Sequence, residues 1–293
     1  MKNVLIHILL IALSFTMKAQ HNSNYVQYMF NGLLLNPAYA GSHDALNVTA
    51  LYRNQWLGFP GAPVSAALSA HSPLKNKKIN VGGIIINDRF GVFNHTKASL
   101  IYAYRIKFLS GQLAFGLQAG IDSHTTDWNK INTSEASDPN FMVSGTRKII
   151  PEAGAGTFYH TKNFYFGLSV PNLFTGSINP DMVSVLSAGC IIKLNENIRL
   201  KPAVLVKYIN NSPIAPNIST TFYYKKVIGV GVGYTHNTSA LVYLDIKLND
   251  QLQFGYGYDY SLNAIQKFTS GSHEVMLRYL FRYKINAVNT RYF

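Results

Sequence analysis

Two neighbouring stretches decide the fold: HTKASLIYAYRIK at residues 95–107 and QLAFGLQAGID at residues 112–122. In each of them apolar and polar side chains alternate at every second position, which is the period of a β-strand and not of an α-helix. The residues between them, 108–111, are few enough for a hairpin connection. Because a strand of about 9–11 residues can cross a bilayer at a tilt, the pair predicts a hairpin of membrane-crossing length.

The same alternation recurs along the chain and predicts fourteen strands between residues 45 and 283. An even number of antiparallel strands, joined by alternately short and long connections, is typical of a transmembrane β-barrel. A soluble all-β sandwich or lectin is the alternative, but it requires no such alternation of connection lengths. The long connections are 123–150, 171–181, 209–217 and 261–271. The predicted strands are 45–56, 64–71, 79–87, 95–107, 112–122, 152–160, 164–170, 182–193, 198–208, 218–225, 228–235, 239–248, 251–260 and 273–283.

Composition also favours a membrane barrel. Charged residues make up 13% of the chain, against ~25% in an ordinary soluble domain. Tyr and Phe are abundant, and no apolar run after the N-terminus reaches the ~18 residues of a transmembrane helix. The formal net charge of +13 predicts anionic lipid head groups or an acidic protein as partners, or simply a solvated rim. Nucleic acid is not expected as a partner of an exported protein.

The N-terminus has the pattern of a signal peptide. Lys2 supplies the positive start, residues 4–15 form an apolar core, and cleavage is expected after Ala19. This divides the chain into a signal peptide (1–19), an N-terminal plug or periplasmic segment (20–44), an outer-membrane barrel (45–283) and a C-terminal tail (284–293). A single cysteine, Cys190, offers no disulfide framework.

The sequence contains no pattern that predicts an enzyme. The histidines and the cysteine show no HExxH or CxxC spacing, so no metal site or cofactor is expected. No GxSxG motif marks a catalytic serine. The glycines at 229, 231 and 233 lie inside a predicted strand, where small residues on an inner barrel face are a better explanation than a nucleotide-binding loop.

Charged residues on the polar strand faces are predicted to point into the barrel lumen. They could hold water, clamp a plug by ion pairs, or form a network that satisfies its own members, because buried charges are generally paired. The residues of this predicted network are Lys97, Arg105, Asp122, Asp245, Asp259, Glu274, Arg278 and Arg282.

The least generic stretch of the chain runs from residue 25 to residue 71. Residues 27–42 precede the first strand and are predicted to fold into the lumen or to cap it, with the bond between Asn36 and Pro37 in a rigid turn. Residues 56–63 are predicted to lie on the outer rim. Both parts could bind a partner directly or could only keep the barrel closed. The candidate residues are Tyr28, Phe30, Asn36, Pro37, Tyr39, Arg53, Gln55, Trp56, Phe59 and Pro60.

This stretch resembles the PorP/SprF family of the type IX secretion system, which is found in the Bacteroidota. The motifs that carry the resemblance are QYMFNGLLLNPAYAGS (27–42) and YRNQWLGFPGAPVSAALSAHSPL (52–74), and the ending NTRYF (289–293) also fits. Gly32 stands where the family often has proline. The resemblance covers the whole chain in length and strand pattern, although the later strands are individually generic.

The resemblance implies an outer-membrane barrel that helps to secrete or display large surface proteins, including gliding adhesins, without enzymatic activity. It implies outer-membrane lipid, type IX components and a secreted cargo protein with a C-terminal signal domain as partners. The sequence Leu35-Asn36-Pro37-Ala38 also resembles the N-terminal hatch of FadL-like transporters of hydrophobic molecules, which is the alternative function. A porin-like barrel without specific cargo would leave the stretch at 25–71 unexplained.

Overall fold

The structure is a computed structural model that describes residues 31–128, 146–173, 182–209 and 212–281. The predictions for Tyr28, Phe30 and Arg282, for the signal peptide at 1–19 and for the tail at 284–293 lie outside these residues. No helix in the described ranges is both long enough and apolar enough to cross a membrane.

Fourteen antiparallel strands form a closed barrel, as the sequence predicts. The sheet closes because β1 pairs with β14, with Leu46 opposite Phe281 and Asn54 opposite His273. Closure leaves no sheet edge with unpaired backbone groups. The strands are β1 (Leu46–Asn54), β2 (Val64–Pro73), β3 (Ile79–Phe90), β4 (Phe93–Phe108), β5 (Gly111–Thr126), β6 (Thr146–His160), β7 (Phe164–Asn172), β8 (Val183–Cys190, continued by Ile192–Lys193), β9 (Ile198–Ile209), β10 (Asn217–Tyr224), β11 (Ile228–Thr235), β12 (Ser239–Lys247), β13 (Leu252–Ser261) and β14 (Ser272–Phe281).

The barrel has two distinct ends. We call the end where β1 begins the turn end; its connections are 74–78, 109–110, 161–163, 194–197, 225–227 and 248–251. We call the opposite end, where β1 finishes, the loop end; its connections are 55–63, 91–92, 127–145, 173–182, 210–216, 236–238 and 262–271. The longest connections therefore share one end, which is the asymmetry of a membrane barrel.

Alternation along each strand separates an apolar outer face from a polar inner face. On β4 the outward Leu100 is 77% exposed, whereas its neighbours Ser99 and Ile101 are buried. Exposed aliphatic side chains on an outer face are costly in water and favourable in lipid. The outward band continues around the barrel with Ile85, Leu117, Leu168, Ile218, Val232, Val242 and Leu277.

Two predicted connections at the loop end were too long. The predicted irregular region 123–150 is shorter, because β5 runs on to Thr126 and β6 begins at Thr146, so that His124 pairs with Lys148. Arg147 Nε donates to Ser123 Oγ across this extension. The predicted gap between the third and fourth strands is a two-residue turn at Gly91 and Val92, with Phe90 opposite Phe93. The alternation did not predict these extensions, because both faces of a strand carry polar side chains where the strand extends beyond the membrane.

Candidate functional site

The N-terminal segment, residues 31–45, folds into two short 3₁₀ turns, Gly32–Leu34 and Pro37–Tyr39. Asn36 caps the second turn, because its Oδ1 accepts a hydrogen bond from Ala38 N at 2.9 Å. Pro37 occupies the first position of the turn, where a missing N–H costs nothing. The turn is compact, and Pro37, Ala38 and Tyr39 are all buried.

Glycines on three neighbouring strands make room for this turn. Gly116 on β5 lies opposite Gly156 on β6. A Cβ at Gly116 would collide with the backbone of Pro37 and Ala38, and a Cβ at Gly156 would collide with the Asn36 side chain. Gly167 on β7 also faces Asn36, whose Nδ2 would lie 3.1 Å from a Cβ there. These three residues, which we call the glycine cradle, bring the segment into backbone contact with the wall.

Hydrogen bonds tie the segment to the same wall. Asn36 Nδ2 donates to the carbonyl of Thr157 at 2.9 Å. Ser169 Oγ donates to the Leu35 carbonyl at 2.6 Å. Arg105 donates to the Ala40 carbonyl at 3.2 Å, and its guanidinium lies 3.7 Å from the Asp44 carboxylate. Such bonds satisfy the polar groups of a short turn that has few bonds of its own.

Tyr39 anchors the segment by its ring. It makes edge-to-face contacts with Phe158 and His71, at centroid distances of 5.4 and 5.7 Å. Gly41 N donates to His71 Nδ1 at 2.9 Å. Gly32, the position where the resembled family often has proline, faces the Tyr39 ring so closely that any Cβ would collide with it. Glycine at position 32 is thus what allows this placement of Tyr39.

Leu35 points away from the cradle into an apolar cluster on the other side of the barrel. Leu35 is buried there. It therefore fills apolar space between opposite walls, and the N-terminal segment contacts both. Its buried neighbours are Val185, Ala203, Leu205, Tyr223, Leu241, Tyr243 and Met276.

Arg53 lies inside the barrel wall rather than on the rim. Its side chain is 2% exposed and contacts Asp259 Oδ2 at 2.8 Å and Glu274 Oε2 at 3.5 Å. The sequence analysis grouped Arg53 with the plug and partner-binding candidates, and its side chain lies inward on β1. Asp259 and Glu274, two residues of the predicted lumen network, lie together around this cation from the opposite end of the chain.

Arg278 and Asp245 share a second inner group. Arg278 Nε donates to Thr49 Oγ1 at 3.3 Å and its Nη1 donates to Gln253 Oε1 at 3.4 Å. Gln253 in turn donates to Asp245 Oδ1. Lys201, fully buried nearby with its Nζ 5.7 Å from the Tyr165 ring centroid, was missed by the sequence analysis.

A third group surrounds Glu152, which the sequence analysis also missed. Glu152 forms an ion pair with Lys97 and accepts hydrogen bonds from Gln118 at 2.7 Å and Ser99 at 2.8 Å. Asp122 lies opposite Lys97 on the neighbouring strand, with its Oδ2 3.1 Å from His124 Nε2. The charged residues on the inner face are therefore held by specific ion pairs and hydrogen bonds.

The rim loop at 55–63 is pinned to the loop before β14. Leu57 N donates to the Gly271 carbonyl at 2.8 Å and Ser270 N donates back to Leu57 O at 2.9 Å. Trp56 N donates to Ser272 Oγ at 3.1 Å. Gln55 N donates to Pro63 O, which closes the loop. Leu57, Phe59, Pro60, Leu262 and Phe268 are exposed on these two loops, which together we call the loop-end rim.

No cluster of three or more His, Cys, Asp or Glu side chains in the described ranges could hold a metal ion. The sequence profile described as "Type IX secretion system membrane protein PorP/SprF" matches residues 17–279. The chain belongs to this family. No curated protein gives a match.

Several solved membrane barrels are similar in structure to this PorP/SprF protein. They include the P. putida toluene transporter TodX, with TM-score 0.48 and 10% identity over 85% of this chain and 93% of that chain. The CymD monoaromatic hydrocarbon channel has TM-score 0.48 and 13% identity over 91% and 95%. Omp33 of Acinetobacter baumannii has TM-score 0.47 and 8% identity over 82% and 100%. These likenesses are too distant to carry a functional argument.

Proposed function

We propose that this protein is a non-enzymatic outer-membrane barrel that helps the type IX secretion system to secrete or display a large surface protein. Its partners are machine components or a cargo protein with a C-terminal signal domain. The family match over residues 17–279 carries the proposal. The closed barrel and its apolar outer band support an outer-membrane location, because closed β-barrels are the β-structures that span membranes.

The loop-end rim is the proposed partner-binding surface. Its exposed apolar side chains sit on two loops that are joined by backbone hydrogen bonds at Leu57. A surface held in place by such bonds loses little conformational entropy when it binds. Trp56, Phe59 and Pro60 contribute aromatic and apolar area of the kind found at interface hot spots. Gln55 acts by closing the loop.

The N-terminal segment is the proposed plug of the lumen. Its support is the glycine cradle on one wall, the hydrogen bonds of Asn36, and Leu35 in the apolar cluster on the other wall. In this role Tyr39 and Pro37 hold the segment in shape. The segment closes the turn-end half of the barrel, while partners bind at the loop end.

A FadL-like transporter of hydrophobic molecules remains the competing function. The family match favours secretion over transport. Leu35 lies in one apolar cluster of the interior, and Leu33, Ala38 and Tyr39 lie in a second, so the N-terminal segment already fills apolar space that a small hydrophobic ligand would use. The charged groups around Glu152 and Arg53 make the rest of that interior unsuitable for an apolar ligand.

Affinity purification from detergent-solubilised outer membranes tests the proposed function. We expect the protein to retain an identified type IX component or a surface protein with a C-terminal signal domain. The double variant Leu57→Ser with Phe59→Ser should lose this partner, whereas Ile214→Ser, an exposed apolar residue of another loop-end connection, should keep it. Recovery of bound fatty acid with no secretion component would overturn the proposal.

Ion conductance across planar bilayers tests the plug. Gly116→Ala places a methyl group against Pro37 and Ala38 and should raise conductance by displacing the segment. Gly83→Ala is the control, since a Cβ there meets only ordinary contacts at 3.5 Å and beyond. Equal conductance in both variants and in the unmodified protein would show that the segment does not close the lumen.

A further inference from the structure

The turn end of the barrel carries a circle of positive charge. Its six turns and the strand ends beside them expose eight lysines: Lys75, Lys77, Lys78, Lys107, Lys162, Lys193, Lys225 and Lys226. The same turns contain two acidic residues, Glu196 and Asp250. At the loop end, the described connections and the strand ends beside them expose four basic residues, Arg89, Arg147, Lys148 and Lys267, and contain two acidic residues, Asp88 and Asp127. The turn end therefore exposes twice as many basic residues as the described part of the loop end.

Exposed aliphatic side chains accompany these lysines. Leu109, at the tip of the turn between β4 and β5, is 85% exposed, and the next residues along the circle follow the same pattern. Such a pairing suits neither bulk water nor a purely acidic partner, because the aliphatic groups would remain hydrated. It suits a lipid surface, where long cationic chains reach head groups while apolar groups enter the acyl boundary. The aliphatic turn residues are Leu74, Leu109, Leu194, Val227 and Leu248.

The turn at Lys225 and Lys226 shows that lysine is not there for the backbone. Both residues have positive φ, at 48° and 59°, and Val227 N donates to Tyr224 O at 3.0 Å. This is the arrangement of a type I′ turn, which favours Asn-Gly and disfavours two adjacent long side chains. Each non-glycine residue in this region carries backbone strain. The backbone preference of the turn therefore does not explain why lysine occupies both positions.

The turn-end lysines lie next to the apolar outer band of the barrel, and this position indicates which kind of partner they bind. Lys225 Nζ lies 5.4 Å from the ring centroid of Tyr224, an outward-facing and exposed residue at the edge of that band. Tyrosine and lysine at such an edge are characteristic of the membrane–water interface. A protein partner would contact one side of the barrel, whereas the lysines lie in or beside five of the six turns, as contact with a lipid leaflet would require.

We propose that the turn-end lysines form a circular binding site for the anionic head groups of phospholipids, which fixes the depth and direction of the barrel in its membrane. Each lysine adds attraction near an anionic surface, so the circle discriminates between lipids without a deep pocket. Only the name of the leaflet rests on the proposed function: with the turn end of an outer-membrane barrel on the periplasmic side, the lysines face the periplasmic leaflet.

Spin-labelled lipids test this site in reconstituted protein, without any secretion component. Electron spin resonance measures the fraction of labelled lipid that is immobilised on the barrel. We expect phosphatidylglycerol to associate at least about twofold more strongly than phosphatidylcholine, and we expect this preference to fall as salt is added. Equal association of the two lipids would overturn the proposal and would point to an acidic protein at the turn end instead.

A matched pair of variants locates the preference. Lys225→Asn with Lys226→Gly removes two charges while supplying the residue pair that a type I′ turn favours, so loss of folding is not expected. It should lower the phosphatidylglycerol preference, and further replacement of Lys75, Lys77 and Lys78 by Gln should lower it again. Lys267→Gln, at the loop end, should leave it unchanged. A preference that survives all five turn-end replacements would place the lipid site elsewhere and refute the proposal.

Discussion

Asn36 donates its side-chain amide to the carbonyl of Thr157, at 2.9 Å and 121 positions further along the chain. The same side chain accepts a bond from Ala38 N. One residue therefore both shapes the 3₁₀ turn and attaches it to the barrel wall. Gly156, beside Thr157, leaves the space in which Asn36 lies. A different side chain at position 36, or any side chain at position 156, would separate the shape of the turn from its attachment to the wall.

Replacing Asn36 by Asp separates these two roles. The acceptor toward Ala38 remains, but the donor toward Thr157 is lost and a carboxylate faces a carbonyl. Leaving that buried group unsatisfied costs about 1–3 kcal/mol, so backbone amides of residues 31–45 should exchange about tenfold faster or more in deuterium-exchange mass spectrometry. Asn76→Asp is the control, because Asn76 uses only its acceptor, toward Lys78 N and Ile79 N. Unchanged exchange in Asn36→Asp would disprove the attachment.

Local patterns in the sequence were enough to predict the strands but not the cradle. Period-two alternation is a property of each strand alone, so β4 and β5 could be identified from residues 95–122. The position of Asn36 depends on Gly116 of β5 and Gly156 of β6 lying opposite each other, and on Gly167 of β7. That arrangement follows from the register of the closed barrel. Nothing in the immediate neighbourhood of these glycines distinguishes them from glycines such as Gly83.

The charged residues show the same limit. Alternation predicted that Arg105, Asp245, Asp259, Glu274 and Arg278 face inward, and each of these residues is buried in the structure. It could not predict their partners, because Arg53 and Asp259 meet only after the chain closes on itself. Glu152 was missed because it is the first residue of its predicted strand, whereas β6 begins at Thr146; nothing in the local pattern distinguished Lys201 from a lysine outside the membrane.

Replacing Arg53 by Met should destabilise the barrel strongly. Two carboxylates, Asp259 and Glu274, would remain beside each other without their cation, and breaking a buried pair in this way costs roughly 3–5 kcal/mol. Urea unfolding in lipid vesicles measures the change. Arg89→Met is the comparison, because Arg89 is exposed and bonds only to the Asn87 side chain. The triple change Arg53→Met, Asp259→Asn and Glu274→Gln should recover much of the loss. Equal unfolding curves for Arg53→Met and Arg89→Met would contradict the buried ion group.

Glu152→Gln tests whether the buried ion group around Glu152 contributes to the free energy of unfolding of the barrel. Lys97 would lose its ionic partner, and because Gln118 and Ser99 donate to different carboxylate oxygens, the amide would keep an acceptor for only one of them. We expect a fall in unfolding free energy of roughly 1–3 kcal/mol. The matched change is Glu196→Gln at the exposed pair Lys193–Glu196, where the hydrogen bond and charge of Lys193 lower the pKa of Glu196. No measurable change is expected there, since water screens an exposed pair.

Gly231→Ala tests why β11 carries glycines at alternate positions. The structure places the Tyr243 ring over Gly231, so that a Cβ would collide with it, and the Tyr243 hydroxyl lies 2.8 Å from Thr221 Oγ1. A methyl group would push the ring out of this bond and cost about 1–3 kcal/mol, seen as a lower urea midpoint. Gly83→Ala should change the midpoint far less. In a Tyr243→Leu background the collision is gone, so the effect of Gly231→Ala should shrink to that of Gly83→Ala. If the loss persists in that background, its origin is the backbone of β11 and not the ring of Tyr243.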